Sequence, residues 1–232
     1  MNKNSLRDVH HSVFLAAPPH IRFSKGQLQD LYSNTAKTHD YATSVIREDG
    51  IAEFGILDSK TTESTKYVFQ NNVVGFMHDN VARIGMDAFL QNVKDIVVNS
   101  FKYLSIPLFV EQRYVVRCHA NPHRNGDSRV FLAEEVCSLK KDSFLVFNRP
   151  LHGVGMRLFL PPVNDKLNEF DVKMESLLSD PKVIFLECQG RFFEPVQQSS
   201  IDLIEKNLSL TKDFILSNMA DFLLQFNKEG KS

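Results

Sequence analysis

Tryptophan is absent and cysteine occurs only three times in 232 residues. Cys118, Cys137 and Cys188 are odd in number, lie far apart and form no Cys-x-x-Cys. That argues against a disulfide framework or a structural zinc module and leaves reduced, buried thiols as the expectation. Long hydrophobic runs are also missing. Val13 to Ala17 is too short for a signal-peptide core, and no stretch approaches the roughly 20 apolar residues of a membrane span, so the expectation is a cytoplasmic protein with no membrane partner. Charge of one sign is missing as well: Lys plus Arg number 27 against 28 Asp plus Glu, giving −1. With no global field toward nucleic acid or anionic membrane, any binding must be local.

Catalytic signatures are scarce too. No Gly-x-Ser-x-Gly occurs, no Gly-rich loop is present to cradle a phosphate, and Cys137 and Cys188 lack nucleophile motifs around them. Gly153-Val154-Gly155 is a lone Gly-x-Gly that reads as a turn and a strand start. The catalytic residues are therefore unknown at this level, and no cofactor is implied.

What is present is a core-forming chain: 43% hydrophobic, 24% charged, and rich in phenylalanine at 19 residues. Those proportions suit a globular domain that folds by itself. Residues 1–11 read as a flexible N-terminal segment and residues 12–228 as one α+β domain, with halves at 12–106 and 107–228. Extended runs at Tyr41 to Arg47, Ile51 to Leu57, Tyr67 to Gln70 and Val73 to His78 are separated by Asp49-Gly50, a Thr/Ser/Glu tract and Asn71-Asn72, the turn residues of antiparallel hairpins. Ser24 is placed to cap a short helix over Lys25 to Ser33.

A longer helix is predicted from an Asp87 cap to Leu104, because Leu90, Val93, Val97, Phe101 and Leu104 form one stripe. Leu108 to Cys118 then alternates, with Tyr114, Val116 and Cys118 on one face and Glu111, Arg113 and Arg117 on the other, which is the period of a half-buried strand. Further extended runs are expected at Phe144 to Phe147, Val154 to Leu160, Phe170 to Leu177 and Val183 to Phe193. A final long helix, opened by Ser199-x-x-Asp202, carries Ile201, Ile204, Leu208, Ile215, Met219, Phe222 and Phe226 along one side. The expected fold is thus mainly antiparallel sheet covered on one side by two long helices, with a pseudo-repeat of strands followed by helix.

Three constellations invite chemistry. Cys118-His119-x-x-x-His123 has the residue types of half a transition-metal site. On a strand, however, Cys118 and His119 point to opposite faces, so a polar hairpin tip accounts for the cluster and no metal is expected. His10-His11 and His20 read as solvated histidines near a loose terminus. The third is the stretch from Pro107 to Leu160, where eight cations (Arg113, Arg117, Arg124, Arg129, Lys140, Lys141, Arg149 and Arg157) stand against five carboxylates. Arginine makes planar, bidentate bonds to carboxylates and phosphates, so Arg113, Arg117, His119 and Arg157 are the candidate ligand or partner residues. The alternative is a structural ion network with Glu111, Glu175 or Glu187 on neighbouring strands.

Around Arg113-Tyr114-Val115-Val116-Arg117 the chain resembles a sporadically distributed family of uncharacterised prokaryotic proteins, in which a long helix precedes a strand with an Arg-Tyr-hydrophobic motif. The early Pro18-Pro19 with Arg22-Phe23, the strand Val183 to Cys188 and a final helix ending near Phe222 fit that resemblance, which implies no assigned activity. The expected function is a non-enzymatic binding or assembly module for an unknown protein or anionic ligand, with homo-oligomerisation open. Alternatives are a hydrolase acting on an anionic substrate through Arg113, Arg117 and His119, and a nucleic-acid-associated accessory protein, which near-zero net charge disfavours.

Overall fold

β-Branched and aromatic residues at alternate positions, punctuated by Asn, Gly and Pro, build nine strands among the residues described by the computed structural model, which are 6–57, 64–121, 126–164 and 166–226. The strands are β1 (Arg7–Ala16), β2 (Thr43–Ile46), β3 (Ala52–Leu57), β4 (Ser64–Gln70), β5 (Val73–Asp79), β6 (Glu111–Ala120), β7 (Gly155–Leu160), β8 (Asn168–Ser176) and β9 (Ile184–Phe192). They form one antiparallel sheet in the order β2-β3-β4-β5-β1-β6-β9-β8-β7.

That order reads outward in the same way from its centre. On one side of the β1–β6 seam the chain lays down β5, β4, β3 and β2; on the other it lays down β9, β8 and β7. Each half closes with a helix, α3 (Met86–Tyr103) after the first and α5 (Leu203–Asp213) after the second. The pseudo-repeat is therefore visible in topology, with the second half one strand short.

The helices lie on one face. Phe89 of α3 packs edge-on against Phe76 and His11, and α5 crosses β9 so closely that a Cβ on Gly190 would lie 2.3 Å from Thr211 Oγ1. Lys94 of α3 bonds Asp202 and Glu205 at the start of α5, joining the two halves on the helical side. A shorter helix α1 (Lys25–Thr35) packs against α3, and Ser24 caps it as expected, accepting from the Gln27 N–H. Val13, Leu15, Phe54, Tyr67, Phe76, Tyr114, Val116, Leu186 and Cys188 fill the core beneath these helices.

Several expectations need correction. β1 begins at Arg7, so part of the segment 1–11 is ordered strand, held by β5 and β6 on either side; residues 1–5 lie outside the described set. Asp87 does not cap α3: Gly85 does, following the short helix α2 (Val81–Ile84), and Asp87 sits in the first turn, where its carboxylate meets the positive end of the dipole. Ser199 lies in a 3₁₀ turn, Gln198–Ser200, whose cap is Gln197. The last helix is interrupted by a π-helical stretch, Phe214–Met219, before α6 (Ala220–Leu224).

Phe144 to Phe147 is not a strand: it ends a 3₁₀ helix, Lys141–Phe147, which Asn148 closes in the left-handed conformation. A helical segment the sequence reading passed over, α4 (Ser128–Val130) running into a π-helical turn at Phe131–Val136, starts where Asp127 accepts from the Arg129 N–H. His123 and Arg124 lie outside the described residues.

Candidate functional site

The sheet face opposite the helices carries the candidate residues. Cys118 is buried on the helical side and its neighbour His119 faces out, as strand alternation requires. Arg113, Arg117 and His119 all project from β6 onto the open face, and Arg157 projects onto it from β7, three strands away. They are not one cluster. Arg113 and Arg117 alone are about 13 Å apart along the strand at ~3.3 Å per residue.

Each guanidinium instead closes a local ion network. Arg117 Nε donates to Glu187 Oε2 at 2.7 Å, and Lys173 Nζ donates to the other oxygen of that carboxylate at 2.8 Å. Glu187 is buried, a penalty for its charged form, yet these two cations hold its carboxyl below the usual range. Arg113 stands directly opposite Arg191, a like-charge pairing that would destabilise the ladder. Glu111 resolves it by accepting from both, at 3.3 and 3.1 Å, and Glu169 takes a second bond from Arg191 at 2.5 Å. Arg157 faces Lys173 across the ladder but reaches diagonally to Asp171, with bonds of 2.8 and 2.5 Å, and holds that carboxyl low.

Sequence reasoning missed a second arrangement beside this one. His10 lies between Asp79 on β5 and Arg117 on β6 in the strand register. Its Nδ1 is 2.8 Å from Asp79 Oδ1, its Nε2 is 2.5 Å from Ser12 Oγ, and Ser64 Oγ donates to the other Asp79 oxygen at 2.9 Å. Burial lowers the His10 pKa, opposed by the Asp79 bond and assisted by Arg117. The connectivity is that of a nucleophile, a base and an orienting carboxylate. No motif announces it, since these residues meet only through the pairing of β1 with β5, and His10 and Asp79 are 69 positions apart.

Asp79, His10, Arg117, Glu187, Lys173 and Arg157 thus form one row of directly opposed residues running across β5, β1, β6, β9, β8 and β7. His119 stands off this row, edge-on to Phe185, and its pKa is lowered by burial and then by Arg7. Among the described residues no group of three or more His, Cys, Asp or Glu is arranged to hold a metal ion. On the helical side a groove of about 690 Å³ runs between Phe170, Phe192 and the π-helical turn, where Phe214 stacks on Phe170 at 4.3 Å.

No protein-family model matches the chain, and a search of curated proteins found no match. No helix among the described residues is long and apolar enough to cross a membrane.

The network sets an expectation for stability. In Arg113→Ala with Arg117→Ala, Glu111 keeps Arg191 and Glu187 keeps Lys173, so neither carboxylate is stranded. The double variant should lose only about 1–2 kcal/mol, the range of two partly exposed pairs, read as a fall of a few degrees in a thermal melt. A loss above about 4 kcal/mol, the scale of a charge buried without a partner, would contradict this account.

Proposed function

We propose that the chain is a non-enzymatic binding or assembly module whose open sheet face docks a protein partner carrying charges of both signs. The observation that carries this reading is the balance of the face. On β6 to β9 the five cations Arg113, Arg117, Arg157, Lys173 and Arg191 project beside the five carboxylates Glu111, Glu169, Asp171, Glu175 and Glu187. A polyanion would meet as much repulsion there as attraction, whereas a protein surface of alternating sign finds complements along the whole row. The guanidiniums keep donors beyond those spent on their carboxylates, so they can bond outward without leaving the sheet unpaired.

Amine cross-linking with mass spectrometry tests it: links to a protein partner should form from Lys66 and Lys173 on the open face rather than from Lys206 and Lys212 on the helices. Binding of that partner, measured with purified proteins, should then weaken at least tenfold in Arg113→Ala with Arg117→Ala. Unchanged binding by the folded double variant, or links confined to the helical side, would refute the reading.

The Ser12–His10–Asp79 geometry supports a second reading, hydrolysis of an anionic substrate held by Arg117. Two features weigh against it. Ser12 is only 2% exposed, and it lies within paired strands whose N–H groups serve the sheet ladder instead of a developing oxyanion. A fluorophosphonate probe should therefore label wild type no more than Ser12→Ala. Stoichiometric labelling lost in Ser12→Ala would move the assignment to the hydrolase.

A further inference from the structure

The two ends of the sheet are built differently. In the first half the outer edge of β3 is covered by β2, a four-residue strand of Thr, Ser, Val and Ile that ends the sheet with a short edge. Among the described residues the second half has no counterpart of β2, so β7 is the edge. β7 is six residues long, Gly-Met-Arg-Leu-Phe-Leu, with no proline or lysine in it. Natural edges are blunted by shortness, by Pro or by charged side chains, Lys above all. The single charge of β7, Arg157, is already tied to Asp171 on the strand behind it.

The two faces beside this edge differ: the open one sets Phe159 among Arg157, Asp171, Lys173 and Glu175, and the other is apolar. Phe159 is 60% exposed on the open face. On the other face Leu158 and Leu160 line a groove of about 180 Å³ with Met219 and Phe222 of the last helix. An incoming strand therefore needs apolar side chains on the groove side and a mixture of charge and aromatic ring on the open side, which β7 itself has.

From the edge position, the unblunted edge and this pattern of an apolar groove side and a mixed open side, we propose that β7 pairs antiparallel with β7 of a second copy, about a two-fold axis at Leu158, to make one continuous sheet of eighteen strands. The register follows from side-chain direction. Opposed residues in an antiparallel pair share a face, so the two-fold must pass through a residue. Centring on Arg157 would set two guanidiniums opposite each other. Centring on Leu158 sets Met156 opposite Leu160 on the groove side and Arg157 opposite Phe159 on the open side, twice each. The second pairing lets the Arg157 stem lie along an aromatic ring and brings two apolar grooves together across the seam. The result is isologous and closed, with no β7 edge left to propagate.

The rival occupant is the chain's own Phe144–Phe147, which precedes β7 at nearly the spacing by which β2 precedes β3 and whose Leu145, Val146 and Phe147 are exposed. Sedimentation of the full chain at micromolar concentration should give twice the monomer mass. Phe159→Lys should weaken dimerisation at least tenfold, because it opposes Arg157 of the other copy, whereas Phe159→Glu should leave it as tight or tighter. In a Cys137→Ser background, Leu158→Cys should form an interchain disulfide on mild oxidation, since self-opposed Cα atoms lie about 4.5–5.5 Å apart. Leu160→Cys, roughly 14 Å from its copy by strand rise, should not. A monomer at every concentration, with amide exchange protected at Phe144–Phe147, would hand the edge to the chain's own segment and overturn the proposal. So would a dimer that ignores the Phe159 charge or cross-links through Leu160→Cys as fast as through Leu158→Cys.

Discussion

Deleting the chain from Ser199 onward should abolish the cooperative native state rather than trim it. Ile204, Leu208, Ile215, Met219 and Leu223 are buried along one side of the last helix. Their removal uncovers Val172, Met174, Leu186 and Cys188 of the sheet, each now at most 1% exposed. At about 1.5–3 kcal/mol for each large apolar side chain brought into water, the five helix residues alone account for roughly 10 kcal/mol. That matches the whole stability of an ordinary domain, about 5–15 kcal/mol. The truncated chain is expected to aggregate, or to bind a hydrophobic dye and melt without a sigmoid transition. A soluble truncation that unfolds cooperatively would show that the second half of the sheet does not depend on this cover.

Gln112→Ala should be the most damaging single substitution described. Gln112 is fully buried on β6 and ties three elements together. Its Nε2 donates to the Glu194 carbonyl at 2.8 Å; its Oε1 accepts from Asn207 Nδ2 of α5 at 3.0 Å and from the Tyr114 hydroxyl at 2.5 Å. Burial raises the Tyr114 pKa, so that hydroxyl stays a neutral donor at physiological pH. Truncation to alanine strands two donors and one acceptor and leaves a void, at about 1–3 kcal/mol for a stranded group plus a packing loss. We expect a loss of about 3–5 kcal/mol, a fall in Tm on the order of 10 °C for a chain of this length. Gln112→Leu separates the two contributions: it restores volume but no polar bond, so it should recover less than half the loss. Recovery close to wild type would mean the void, and not the network, sets the cost.

These two sites also mark what sequence could reveal. The stripe of the last helix was legible because apolar residues at three- and four-residue spacing have one reading at that length. The strand around Tyr114 was legible for the same reason at period two. Gln112 was not, because an amide in a strand looks like surface until its partners on α5 and after β9 are in place. Phe144 to Phe147 misled: four apolar, β-prone residues read as a strand, and only the sheet order shows that no neighbouring strand pairs with them. In the candidate site, alternation put Arg113 and Arg117 on one face correctly, and the alternative of an ion network named Glu111, Glu175 and Glu187, of which Glu187 bonds Arg117 across strands and Glu111 bonds Arg113 from the same strand. Asp171 as the mate of Arg157 and Ser12–His10–Asp79 depend on register between segments up to 69 residues apart. No local pattern encodes that distance.

The central β1–β6 seam has a consequence for biosynthesis. β1 leaves the ribosome first, and its partner β5 follows by Asp79, so one flank of β1 is satisfied early. Its other flank waits for Glu111–Ala120, with all of α3 translated in between. At about 5–20 residues per second the interval from Asp79 to Ala120 lasts roughly 2–8 seconds, during which a nascent chain shows an open inner strand. Vulnerability to premature association should therefore peak while α3 is emerging and end when β6 has emerged to pair with β1. Slow codons read in the interval between the emergence of β5 and that of β6 would prolong the hazard, and slow codons read after β6 has emerged would not.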